Sequence, residues 1–151
     1  MLTGITLFKR LSNSSNKNFI LKSAKENPPE NCGYALRIFN LNLEEEVLEI
    51  RNMKKHIETK IDLRDIKRIV LNSESKKMVE KLRNDILKPN NLMNHLFNQD
   101  FIQFSLIIEH NSFELVAQNY QIYSCFAHSI EEIAKNKKNI NEILRYMENK
   151  N

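Results

Sequence analysis

Residues 101–133 constrain the fold more than any other segment, because their hydrophobic period changes part-way along. Apolar and polar side chains alternate first, which is the pattern of a half-buried strand; the apolar positions are Ile102, Phe104, Leu106 and Ile108. A polar turn at 109–112 leads to a second strand at 113–117. Beyond it, Ile122, Phe126, Ile130 and Ile133 recur at helical spacing. Two antiparallel strands and a helix therefore predict a sheet that the helix covers.

This unit resembles the end of a pleckstrin homology (PH) domain, in which strands six and seven lead into a C-terminal helix. The resemblance lies in F-x-L-x-I at 104–108, in F-E-L-V-A at 113–117, and in Phe126, which stands where the family usually has a tryptophan. K-I-D-L-R-D-I-K-R-I-V at 60–70 is similar to the family's corner between strands four and five. The resemblance implies an α+β, mainly β fold: a seven-stranded antiparallel barrel of two orthogonal sheets, capped by the C-terminal helix.

Strands are also predicted at 34–43, 47–51, 57–63 and 66–71, but strand one has two candidates. If 18–25 (NFILKSAK) is strand one, the following loop at 26–33 contains two prolines and a glycine, which oppose both regular structures. If 2–11 (LTGITLFKRL) is strand one, Gly4, Leu7 and Lys9 loosely resemble the family's opening G-x-L-x-K. That second alternative needs a loop of about twenty residues, so we favour the first.

A helix is predicted at 73–88 from the spacing of Met78, Val79, Leu82 and Ile86. Ser73 or Ser75 can cap its start, and 92–97 is able to add another turn. PH domains of delta-type phospholipase C are similar in having a short helix between strands five and six. The predicted organisation is an N-terminal extension or first strand at 1–17, a PH-like domain at 18–138 with a helical insertion at 73–99, and an extension of the C-terminal helix at 139–151.

Composition favours a globular cytosolic domain, with 41% apolar and 28% charged residues and a net charge of +4. No apolar run is long enough to span a membrane, and the N-terminus lacks the apolar core of a signal peptide. Leu2 stands where a myristoylation signal needs glycine, so an acyl anchor would require a different N-terminus. Cys32 and Cys125 are far apart and are expected to be reduced thiols.

Catalysis is not expected from this chain. Its four histidines lack the paired spacing of metal ligands, and two glycines are too few for a glycine-rich phosphate loop. Neither cysteine lies in a nucleophile motif. We therefore predict no enzyme activity, no cofactor and no metal.

The PH resemblance implies an anion site at the open end of the barrel, where several fixed donors converge on phosphate. In the family a lysine near the end of strand one, an arginine in strand two and basic residues between strands three and four form it. The candidates here are Lys22, Lys25, Arg37, Arg51, Lys54, Lys55 and His56. Under the other choice of strand one, Lys9 and Arg10 replace the first two. Ala35 stands where the family's K/R-x-R motif has its first basic residue.

The predicted function is a non-enzymatic, monomeric adaptor that binds anionic phospholipid headgroups, either phosphatidic acid or phosphoinositide, peripherally on the cytosolic face of a membrane. The alternative is a PH-fold protein-interaction scaffold without a lipid site. Nucleic-acid binding is not expected. Such a site needs basic and aromatic residues interleaved on one exposed face, and Arg37 near Phe39 is too small a set. In size and in asparagine and lysine content the chain is also similar to small stand-alone PH proteins of apicomplexan parasites.

Overall fold

The computed structural model describes residues 3–11, 28–86 and 100–136. Its strands are β1 (Ile5–Arg10), β2 (Tyr34–Asn42), β3 (Val47–Arg51), β4 (Ile57–Asp62), β5 (Ile66–Val70), β6 (Ile102–Ile108) and β7 (Ser112–Ala117). The helices are α1 (Ser73–Ile86) and α2 (Tyr120–Lys135). Short 3-10 helices lie at Pro29–Cys32 and Leu63–Asp65.

All seven strands form one antiparallel sheet, in the order β4-β3-β2-β1-β7-β6-β5. β1 is the central strand, and it pairs with β2 along its whole length. On its other side it pairs with β7 through Phe8–Val116 and Lys9–Leu115 only. The expected two orthogonal sheets are therefore joined into one at β1. With α2 covering the sheet and α1 between β5 and β6, the chain has the PH-like barrel fold that the resemblance implied.

Strand one is Ile5–Arg10, the alternative that we did not favour. The prediction was wrong because it gave too much weight to loop length. The free-energy cost of closing a loop rises by only about 0.6 kcal/mol for each doubling of its length. Pairing on both edges of β1 readily outweighs such a cost. The other candidate, 18–25, lies outside the described residues, and so do Lys22 and Lys25.

The core lies between the inner face of the sheet and α2. Strand alternation directs Phe39 of β2 and Phe104 of β6 inward, and both are buried. Phe126 of α2 is fully buried and meets the Phe39 ring edge-on, with 5.6 Å between ring centroids. Its centroid lies 5.7 Å from that of Phe104. Phe126 thus fills the position in which the resemblance expected a large aromatic residue.

Local hydrogen bonds explain where the helices begin. The predicted cap of α1 was Ser73 or Ser75, but Asn72 caps it: its Oδ1 accepts a hydrogen bond of 2.8 Å from the Ser75 backbone N–H. Asn119 caps α2 in the same way, through the N–H of Ile122 at 2.9 Å. The loop expected to lack regular structure contains the 3-10 helix at Pro29–Cys32, since proline is tolerated in a first turn. The further helical turns predicted at 92–97 and 139–151 lie outside the described residues.

Replacing Phe126 by alanine should destabilise the fold strongly, because the contacts of its ring with Phe39 and Phe104 would be lost and a cavity left in the core. We expect the free energy of unfolding to fall by about 3–5 kcal/mol, measured by urea denaturation. Cys125→Ala is the matched control, since Cys125 is adjacent but exposed. Equal stability of the two variants would contradict this account of the core.

Candidate functional site

Three connections meet at one end of the barrel, which we call the open end. β1 finishes at Arg10 opposite Tyr34, the first residue of β2. The turn between β3 and β4, residues 52–56, lies at the same end because β2 and β3 are antiparallel. The pairing of Lys9 with Leu115 brings the β6–β7 turn there too, with the exposed His110. The acidic β2–β3 turn lies at the opposite end, where Glu45 contacts Lys60 at 2.7 Å.

Two basic side chains extend from the inner face of the sheet toward the open end. Lys9 follows the core residue Leu7 by two positions, so strand alternation places both on one face. Arg37 is paired with Leu7 in the register of β1 and β2, and therefore shares that face. Lys9 Nζ lies 5.5 Å from the centroid of the Phe113 ring, within reach of a cation–π interaction. Lys9 and Arg37 are diagonal neighbours across the strand pair.

Glu58 completes this group, which we call the inner cluster: Lys9, Arg37 and Glu58. The register between β3 and β4 shifts by one residue, and Glu58 is the extra residue of that bulge. Its Oε1 makes an ion pair with Nε of Arg37, although the buried N–H is not aligned for a hydrogen bond. Arg37 also donates from Nη1 to the Leu36 carbonyl at 2.8 Å.

The pKa of Lys9 in this cluster is lowered below the ordinary 10.5 of a lysine. Burial is the main cause, and the positive charge of Arg37 adds to it, while the negative charge of Glu58 acts in the opposite direction. The ammonium group is therefore less well solvated than a surface lysine. It would gain from an additional nearby anion.

Arg51, another predicted headgroup residue, ends β3 at the open end but does not share the face of Arg37. It pairs with Ile38 and so lies on the outer face of the sheet. Its Nη2 contacts Oε1 of the buried Glu49 at 3.0 Å, and its Nη1 donates to the Lys55 carbonyl at 3.1 Å. The pKa of Glu49 is lowered, first by a hydrogen bond from Asn42 and then by Arg51. Arg51 thus supports the β3–β4 turn rather than the inner cluster.

The β3–β4 turn presents Lys54, Lys55 and His56 to solvent. Asn52 holds its shape, since Oδ1 accepts from the backbone N–H groups of Lys54 at 2.9 Å and His56 at 3.1 Å. Within the described part of the chain, neither lysine makes an ion pair. Their charges are therefore available to a ligand.

Two exposed apolar side chains flank these lysines, and the sequence analysis did not single them out. Met53 is 54% exposed and Ile57 is 43% exposed. In the ranges that the structure describes, only Val70 among the other large apolar residues is comparably exposed. The signal in the sequence was the run M-K-K-H-I, in which apolar residues stand on either side of a basic turn.

Arg10, which was the other basic candidate beside Lys9 on this strand, does not join the inner cluster. It lies on the outer face beside Tyr34, where burial and then the charge of Glu114 raise the pKa of Tyr34 to about 12. The buried Nη1 of Arg10 makes no hydrogen bond to any described residue.

In residues 3–11, 28–86 and 100–136, no group of three or more histidine, cysteine, aspartate or glutamate side chains is arranged to hold a metal ion. None of the helices in these ranges is both long enough and apolar enough to cross a membrane.

Comparison with known proteins finds similarity among solved structures only. No protein-family model matches the chain, and no curated protein matches it. The crystal structure of PLC21 from L. pealei is similar with a TM-score of 0.48 and 13% identity, over 90% of this chain and 16% of that one. PLC21 from S. officinalis is similar with a TM-score of 0.47 and 14% identity, over 89% of this chain. The chain spans about 16% of the length of either structure, and neither similarity assigns it a function.

The inner cluster predicts how the pKa of Lys9 responds to its neighbours. Glu58→Gln should lower this pKa further, because the negative charge that partly offsets burial and Arg37 is removed. Arg37→Ala should raise it toward 10.5. NMR titration of the Lys9 side chain measures both changes, and a Lys9 pKa unaffected by Glu58→Gln would show that the two groups do not interact.

Proposed function

We propose that this chain is a non-enzymatic domain that binds anionic phospholipid headgroups, phosphatidic acid or phosphoinositide, at the cytosolic face of a membrane. The observation that carries the proposal is the β3–β4 turn. Lys54 and Lys55 are exposed there between the exposed Met53 and Ile57, at the same end as Lys9 and Arg37. Basic and apolar groups on one protruding turn fit a bilayer surface, which offers phosphates above hydrocarbon.

The charges would act at two depths. Each lysine of the turn is worth about 1 kcal/mol near an anionic membrane surface. Lys9 and Arg37 lie deeper, on the inner face, where less water competes for a phosphate oxygen. Hydrogen bonds from charged donors to phosphate are roughly twice as strong as neutral ones. The turn would attract the protein to the membrane, and the inner pair would hold the headgroup.

The apolar side chains favour a membrane over a free headgroup. Fully burying a methionine or isoleucine side chain is worth about 1.5–3 kcal/mol. Moving Met53 or Ile57 from water into the membrane interface would recover part of this free energy. A soluble inositol phosphate would leave both side chains in water. Their exposure on the turn is therefore explained by a bilayer and not by a small soluble ligand.

The backbone of the turn supports the same conclusion. Lys55 has φ 69°, in the left-handed region that favours glycine or asparagine. A lysine there costs about 1–2 kcal/mol. The hydrogen bonds to Asn52 hold this strained conformation, in which the Lys55 side chain is exposed.

Vesicle co-sedimentation tests the proposal. Lys54→Ala/Lys55→Ala should weaken binding to vesicles containing phosphatidic acid or phosphoinositide by roughly 30-fold, since two contributions of about 1 kcal/mol are lost. Lys76→Ala/Lys77→Ala is the matched control: it removes the same charge from an exposed pair on α1, which follows β5 at the end away from the open end. Equal weakening by both double variants would contradict a site at the open end.

A second pair of variants separates a membrane from a free headgroup. Met53→Ser/Ile57→Ser should reduce vesicle binding and leave binding of a short-chain, water-soluble lipid unchanged. If the wild-type chain binds no anionic vesicle at low salt, the lipid proposal fails. The protein-interaction scaffold would then be the working hypothesis.

A further inference from the structure

We propose that Glu58 is an internal counter-ion occupying the position of a ligand phosphate, and that it makes the site select phosphomonoesters over phosphodiesters. This inference rests on the proposed function, since it concerns the same open end. Glu58 would be the residue that determines which kind of phosphate the open end accepts.

The geometry places a carboxylate where an anion would otherwise bind. Glu58 is the extra residue at the bulge between β3 and β4, and its carboxylate pairs with Arg37. The side chain of Arg37 is 17% exposed, whereas that of Glu58 is 39% exposed. Arg37 is thus the more buried partner of the pair, and the Glu58 carboxylate is the more exposed one. Glu58 is able to swing into water while Arg37 stays in place.

The charges of the inner cluster predict a preference for phosphomonoesters over phosphodiesters. Lys9 and Arg37 contribute two positive charges, and Glu58 contributes one negative charge, so the inner cluster has a net charge of +1 by this sum. A phosphodiester carries one negative charge, so exchanging it for the carboxylate gains no charge. A phosphomonoester carries about −1.5 to −2 near neutral pH. It is able to displace the carboxylate and satisfy both cations.

Lys9 is the group that would benefit from the second charge. Its ammonium is partly buried, and its neighbours are the Phe113 ring, Arg37 and Glu58. The carboxylate pairs with Arg37, and no direct ion pair to Lys9 is present among the described residues. A dianionic phosphate between Lys9 and Arg37 would provide each cation with a partner.

The chain offers a matched control in Glu45, which pairs with Lys60 at the other end of the barrel. Glu45→Gln and Glu58→Gln both raise the net charge by one. The five residues of β3 separate the two ends by roughly 17 Å. That distance exceeds the Debye length of about 8 Å at physiological salt, so the charge at Glu45 is screened from the open end.

The experiment measures binding to phosphatidylcholine vesicles containing either phosphatidic acid, a monoester, or phosphatidylglycerol, a diester, at matched surface charge. The wild-type chain should prefer phosphatidic acid. Glu58→Gln should strengthen binding to phosphatidylglycerol by about fivefold, the worth of one charge near the surface, and so reduce the preference. Glu45→Gln should change either affinity by less than about twofold.

The outcomes separate this inference from the function on which it rests. If the wild-type chain binds anionic vesicles but Glu58→Gln alters binding no more than Glu45→Gln, the counter-ion role is overturned and lipid binding stands. A wild-type chain that binds both lipids equally at matched charge also overturns the selectivity. Failure of the wild-type chain and Glu58→Gln to bind either vesicle overturns both proposals.

Discussion

The contact of Phe126 with Phe39 and Phe104 is the interaction on which the rest of this structure depends. Phe39 belongs to β2 and Phe104 to β6, on opposite sides of the central strand. β1 and β7 are joined by two residue pairs only, which is a weak link between the two halves of the sheet. The Phe126 ring lies within 6 Å, centroid to centroid, of the Phe39 ring and of the Phe104 ring, and so links these halves under α2. The barrel keeps its curvature because the helix fills the space between them.

The same strand alternation that builds this core also builds the candidate site. Along β1 the inner face passes from Leu7 to Lys9, and along β2 from Phe39 to Arg37. On both strands the inner face is apolar in the core and basic near the open end. A basic pair on the inner face is therefore a consequence of period-two alternation in two neighbouring strands. The bulge at Glu58 departs from this alternation, and it introduces the negative charge.

Much of the fold could be predicted from the sequence, because β6 alternates clearly and polar turns separate the short strands. β3 was predicted to the residue and β2 to within one residue. Strand one was not, since two segments had similar patterns and only the pairing partners distinguish them. The cap at Asn72 was missed for a similar reason: three polar residues compete at that position, and geometry decides.

The candidate site was less predictable than the fold. The basic turn and Arg37 could be read from the resemblance, and they lie at the expected end. The face on which Arg51 lies depends on strand register. The position of Glu58 depends on a bulge, which no residue pattern in the sequence predicts. The remaining two candidates, Lys22 and Lys25, lie outside the described residues. Register and bulges arise from pairing between strands, so one strand's sequence does not contain them.

The central claim is that the open end of this barrel binds phosphate headgroups. The most direct measurement is an NMR titration of isotope-labelled protein with short-chain phosphatidic acid below its micelle concentration. The account predicts that the largest shifts fall on the β3–β4 turn, on Lys9 and on Arg37, with little change on α1. Shifts confined to α1 or to the Glu44–Glu46 end, or no saturable shift, would contradict it.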